Sequence, residues 1–160
     1  LVVAQILKDH GIDPKKFGRG QAKTLSEFIT ELQSGSSRMM LDASKHKSMV
    51  RVVDIVLLRV VHDSGRNRRM LVKYQETYKD GRRRDDIRHL PGTKKAPHES
   101  PLQVAERILR ERLFLEPLQV QLDFSSTEVF EDEDVSVSFP GIRTVYRKEI
   151  IQGKVTATDV

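Results

Sequence analysis

A chain of 160 residues with 38% hydrophobic content is long enough for one compact domain with a core of its own. It contains no cysteine, which excludes disulfides, thiolate catalysis and cysteine-based zinc sites. A formal net charge of +5 and a pI of about 9.6 favour anionic partners such as nucleotides, phosphates, RNA or acidic proteins, as against a merely solvated basic surface.

No apolar run reaches the roughly 18 residues of a membrane span, so none is expected. The longest apolar stretch, Val50 to Val61, is interrupted by Arg51, Asp54 and Arg59 and reads as a buried strand. The chain opens at Leu1, as a processed or trimmed end would. The compartment is not encoded; a soluble, intracellular protein is expected ahead of a secreted one.

Residues 1–48 lack strand character and read as a helical N-terminal arm. Val2, Val3, Ile6 and Leu7 fall near one another on a helix that His10-Gly11 stops. Asp13 to Gly20 is a loop by its proline and glycines. Thr24-Leu25-Ser26-Glu27 has the capping-box pattern, in which a Thr hydroxyl and a Glu carboxylate each satisfy an orphan backbone donor. Leu25, Phe28, Ile29 and Leu32 form the apolar stripe, and Gly35 suits a left-handed cap. Apolar helix faces of this kind are expected to pack on a neighbour in a larger complex.

From Met49 the pattern turns to strands. Met49 to His62 is rich in Val, Ile and Leu, as a strand buried on both faces should be. Asp63 to Asn67 reads as a hairpin turn, Met70 to Tyr78 as the returning strand, and Asp80-Gly81 as a second turn. Pro101 suits a first helical turn, with Leu102, Ala105, Ile108, Leu109 and Leu113 on one apolar face. Pro117 ends that helix. Val120 to Phe130 reads as a strand, Glu131 to Asp134 as an acidic loop, and Val135–Phe139 and Ile142–Ile151 as two further strands. The expected organisation is an arm over 1–48, a domain over 49–155 and a tail over 156–160.

The order strand, hairpin, strand, Leu90-Pro91-Gly92, loop, Glu99, helix, strands resembles the Nudix hydrolase fold. The family's box reads G-x5-E-x7-R-E-U-x-E-E-x-G-U, with U a bulky aliphatic. Gly92, Glu99 and Arg107 match its Gly, Glu and Arg, although the gap from Gly92 to Glu99 is one residue too long. Leu109 and Leu115 match the aliphatic positions. By this resemblance Glu99 and Arg107 form a structural ion pair holding the loop against the helix. The resemblance implies an α/β/α sandwich around a mixed β-sheet, here preceded by the arm.

The departures from the box bear on chemistry. Ile108 stands at the Glu following the Arg, Glu111-Arg112 at the Glu-Glu pair, and Phe114 at the helix-ending Gly. Counting from Gly92 moves each helix position by one, and most metal positions still remain unfilled. A lone Glu111 flanked by Arg110 and Arg112 is a poor Mg²⁺ site, since the cation needs oxygen ligands and the guanidinium charges repel it. The family's hydrolysis depends on such ions. No metal or cofactor is therefore expected, with Mg²⁺ at Glu111, and Glu99 as the second catalytic candidate, implied only if the chain is an active phosphohydrolase. The leading expectation is a catalytically degenerate Nudix-like module for protein binding or assembly.

A third reading is nucleotide or RNA binding without turnover. Its candidate residues are Arg69, Arg82, Arg83, Arg84, Lys94 and Lys95, on turns and loops around the hairpin, with Tyr74 and Tyr78 able to stack on bases. The acidic run Glu131–Asp134 reads as a solvated hairpin tip. Phe17 to Thr24 lacks the Gly-Lys-Ser/Thr ending of a phosphate loop and reads as a lead into a capped helix. No two histidines have metal-ligand spacing, and His98, one residue before Glu99, reads as exposed.

Overall fold

The computed structural model describes residues 2–42, 48–77, 81, 83–85, 87–135 and 138–156. Expectations resting on His46, Tyr78, Asp80, Arg82 and the tail from 157 onward lie outside the described residues, as does the middle of the strand expected over Val135–Phe139.

Among the described residues, helices α1 (Val2–Asp9), α2 (Leu25–Ser34) and α3 (Pro101–Arg107) accompany eight strands. These are β1 (Arg38–Asp42), β2 (Ser48–Ser64), β3 (Asn67–Met70), β4 (Glu76–Thr77), β5 (Arg83–Arg84), β6 (Gly92–Lys94), β7 (Val120–Val135) and β8 (Arg143–Val155). Six strands form one sheet in the order β1-β2-β8-β7, with β3 and β6 also paired to β2; β4 and β5 make a separate two-stranded sheet. The α/β class and the mixed sheet agree with expectation.

The chain divides into two compact units. The first holds Leu1–Asp54, Lys94–His98 and Phe130–Lys148; the second holds Ile55–Thr93, Glu99–Val129 and Glu149–Val160.

The first unit is built on an aromatic core. Leu7, Phe28, Phe139 and Ile142 are fully buried, with Leu25, Leu32 and Met49 packed on them. Each such side chain contributes about 1.5–3 kcal/mol by burial. Phe17 meets Phe28 edge to face at 5.6 Å, and Phe28 meets Phe139 at 4.9 Å. Of the apolar faces of α1 and α2, Leu7 and Phe28 are buried within this unit, while Val2 is 73% exposed. Thr24 and Glu27 cap α2 reciprocally at 3.1 Å, and Gly35 ends it at φ 78°.

Three expectations need correction here. Arg38 to Asp42 is a strand, paired antiparallel to β2 from Arg38↔Val52 to Asp42↔Ser48, in a segment that reads as strandless. Glu131 to Asp134 is not a hairpin tip but the end of β7. Its carboxylates face cations of β8: Glu131 meets Arg147 at 3.4 Å, Asp132 meets Lys148 at 2.7 Å and Glu133 meets Arg143 at 3.7 Å. Those partners remove the mutual repulsion that makes the run look like a loop. Ser138 and Phe139 lie in a bend, so the strand expected to reach Phe139 does not.

The second unit packs α3 on its strands. Val56, Leu58 and Val60 of β2, Val104, Ala105, Ile108 and Leu109 of the helix, Val120 and Ile151 form one core. The turn Gly65-Arg66 closes β2 onto β3, with Ser64 opposite Asn67 and Gly65 at φ 62°. Among the described residues, the returning strand expected through Tyr78 stops at Met70, with Lys73 in an isolated bridge to His89 and Glu76–Thr77 as a further short strand. Leu102, assigned to the apolar face, is 46% exposed.

Candidate functional site

Gly92 starts in β6, paired to β2, directly after Pro91, whose carbonyl accepts from Leu58 N–H at 2.9 Å. The following helix α3 has two local causes. Ser100 accepts from Gln103 N–H at 3.2 Å while Gln103 accepts from Ser100 N–H at 2.8 Å, and Pro101 fills the first turn. The α-helix ends at Arg107 and continues as a π-helix over Ile108–Arg112. Phe114 then takes φ 55°, the left-handed conformation that glycine tolerates best. This is the position at which the resemblance calls for Gly, so the turn is kept although its usual residue is not.

Nη2 of Arg107 reaches both carboxylate oxygens of Glu99, at 2.9 and 3.0 Å, and both side chains are partly buried. A charge-assisted contact of this kind ties the last residue of α3 back to the segment that leads into the helix. Glu99→Gln is expected to lower unfolding free energy by about 1 kcal/mol, read as a shift in the urea midpoint. An unchanged midpoint would show that the pair positions nothing.

Glu106 faces Arg110 at 3.5 Å. Glu111, the metal candidate, is exposed, as are Arg110 and Arg112 beside it. Among the described residues no group of three or more His, Asp and Glu side chains is placed to hold a metal ion.

The described basic candidates fall in both units. Arg69, Arg83 and Arg84 are exposed in the second unit, where Arg83 meets Asp85 at 2.8 Å. Arg82 lies outside the described residues. Lys94 and Lys95 belong to the first unit. The backbone N–H of Lys95 donates to the Asp54 carbonyl at 2.8 Å, and Lys94 reaches Glu31 at 3.4 Å.

That contact is part of a cluster with no signature in the sequence. Arg51, 3% exposed near the start of β2, donates to Glu31 at 2.7 Å and lies 4.6 Å from the Phe139 ring centre. Lys23 approaches the same carboxylate at 4.0 Å. Burial alone would raise the Glu31 pKa. The hydrogen bond and charge of Arg51, with the charges of Lys94 and Lys23, outweigh it and hold the carboxyl below its usual range. Lys23 is thereby accounted for, and Phe17 to Thr24 is a lead into a capped helix.

Sequence reasoning also missed the hollows of the second unit. One, of about 340 Å³, is floored by Val60, Leu115 and Val155 and edged by Met70, Leu71 and Arg69. A second, of about 440 Å³, shares Leu71 and adds Val72, Leu113 and Arg112. A polar one of about 680 Å³ includes Asp63, Arg68, Lys154 and Asp123. Asp123 is held below the usual carboxylate range by its hydrogen bonds from Ser125, at 2.5 and 2.8 Å. The only advance signal was the apolar run Met70-Leu71-Val72, which read as part of a strand.

No family model and no curated protein matches the chain. Among solved structures it is similar to an Ap4A hydrolase of C. elegans, at 16% identity and TM-score 0.45 over 68% of this chain and 73% of that one. A binary complex of a C. elegans Ap4A hydrolase gives 15% and 0.44, over 66% and 69%. The Nudix hydrolase RenU of M. Smegmatis gives 18% and 0.43, over 71% and 68%. At these identities the likeness concerns fold alone. The residues that carry the resemblance in the sequence hold these places in the structure: Gly92 lies against β2, Glu99 pairs with Arg107 beside α3, and residue 114 is left-handed.

Proposed function

We propose that the chain is a catalytically degenerate Nudix-like module that binds or assembles with a protein partner and does not hydrolyse phosphoanhydrides. One observation supports this most: the carboxylates on and before α3 are met by guanidinium groups. Arg107 holds Glu99 and Arg110 faces Glu106, while Glu111 stands exposed with arginine on either side. A divalent cation there would have to displace or outcompete fixed positive charge for single oxygen ligands. Ile108 and Arg112 stand where active members carry carboxylates, so the ion that would neutralise developing phosphoryl charge has little to hold it.

The rival is a Mg²⁺-dependent phosphohydrolase with an altered site, and the named neighbours, an Ap4A hydrolase and a Nudix hydrolase, make its substrates the right probes. The full chain incubated with Mg²⁺ or Mn²⁺ and Ap4A or ADP-ribose is expected to release no more product than the protein-free control. Glu111→Gln is expected to behave like the parent. Metal-dependent turnover that Glu111→Gln abolishes would overturn the proposal.

A further inference from the structure

We infer that the apolar groove of the second unit takes an acidic peptide segment carrying apolar side chains, an inference that rests on the binding-module reading and names its partner's chemistry. The groove floored by Leu115 and Val155 and the cleft with Leu113 and Arg112 meet at Leu71. Met70, Leu71 and Val72 are consecutive and all exposed at this junction. Water-facing apolar groups in a row along a groove are the mark of a surface that another chain covers. The lip they form is fixed: Leu71 N–H donates to the Val60 carbonyl at 2.9 Å, and Lys73 and His89 exchange backbone hydrogen bonds at 2.7 and 3.1 Å.

The charge around the groove selects the occupant. In this unit Arg59, Arg68, Arg83, Arg107 and Arg110 each meet a carboxylate. Among the described residues Arg66, Arg69, Arg84, Arg88 and Arg112 meet none, and of these Arg69 and Arg112 line the hollows. The carboxylate that lines the cleft, Glu76, is taken by Lys73 at 3.3 Å. The apolar floor therefore selects apolar side chains, and the uncompensated guanidinium groups select carboxylates, with which they make charge-assisted contacts. Single-stranded nucleic acid is disfavoured, because neither hollow is lined by a Phe, Tyr or Trp on which bases stack. A second copy docking symmetrically would bring the same arginines face to face.

The test uses the full chain and a short fluorescently labelled peptide alternating Asp and Leu, with Lys-Leu and Asp-Ser versions as controls. The Asp-Leu peptide is expected to bind saturably and more weakly as salt rises, since rim charges are screened. The Asp-Ser peptide, lacking anchors, is expected not to bind. Leu71→Asp is expected to weaken Asp-Leu binding at least about tenfold. Arg69→Glu with Arg112→Glu is expected to lose the Asp-Leu peptide and gain the Lys-Leu one. All three positions are exposed, and circular dichroism checks that the variants stay folded. No saturable binding of the Asp-Leu peptide, equal binding of the Asp-Leu and Lys-Leu peptides, or a labelled RNA strand that takes the groove in their place would each overturn the inference. None of these readouts involves turnover, so the groove and the lack of hydrolysis fail or stand separately.

Discussion

Glu31→Gln is expected to destabilise the chain by about 3 kcal/mol, as removal of one partner from a buried ion pair does. Arg51 is the reason. Its side chain is almost wholly buried, and Glu31 is its carboxylate, at 2.7 Å. Thr144, at 3.4 Å, and the face of Phe139 do not neutralise it. An amide at position 31 would leave the guanidinium with a hydrogen-bond acceptor but no counter-charge, with Lys23 and Lys94 adding like charge around it. The double variant Glu31→Gln with Arg51→Met is expected to recover most of the loss, because the uncompensated charge goes with the arginine. A double-mutant cycle by chemical denaturation reads the coupling. Additive losses would show that the pair is incidental to its burial.

The same carboxylate gives the fold a pH dependence whose sign follows from its depressed pKa. The unfolded chain binds a proton at Glu31 near the ordinary value of about 4.3, and the folded chain only below it. The stabilisation is therefore fully present above that value. It fades as pH falls toward and through the folded pKa. Glu31→Gln is expected to flatten this acid limb, and a limb of unchanged steepness would assign it to other carboxylates.

Where local chemistry decided the structure, the sequence was readable. Thr24 and Glu27 announce the start of α2 within one turn, and Gly35 its end. Gly65-Arg66 closes a hairpin because the flanking residues pair in register. What stayed hidden depends on partners far along the chain. Arg38 to Asp42 holds no β-branched residue and becomes a strand because β2 offers it a ladder. Glu131 to Asp134 stays extended because Arg147, Lys148 and Arg143 lie opposite. Arg51 breaks an apolar run in the sequence, yet is buried because Glu31 and Phe139 come to it. Of the candidate site, Glu99 and Arg107 could be picked out by their spacing, and Gly92 by the Leu90-Pro91 ahead of it, although its gap to Glu99 is one residue too long. The groove could not, since Met70 to Val72, Leu113, Leu115 and Val155 meet only in the folded unit.

Gly92 is the position where that spacing can be tested against steric fact. A Cβ added there would meet the Leu57 side chain, the Val56 carbonyl oxygen at 2.6 Å and Leu57 Cα at 3.3 Å. The Leu57 side chain can turn away; the carbonyl of a central strand cannot, and Pro91 is pinned to Leu58 next door. Glycine is required here for close approach of two backbones, not for an unusual φ. Gly92→Ala is accordingly expected to cost about 3 kcal/mol, at the upper end of overpacking losses, or a fall in Tm of roughly 6–12 °C. Gly65→Ala is the control, since Gly65 has φ 62° but nothing within 4 Å of an added Cβ. It should lose only about 1 kcal/mol of conformational preference. Leu57→Ala should not rescue Gly92→Ala, because the backbone oxygen remains. If the two glycine variants prove equally mild, β6 is free to move away from β2. The Gly of the motif would then mark a turn, and the anchorage of the loop would fall to Glu99 and Arg107 alone.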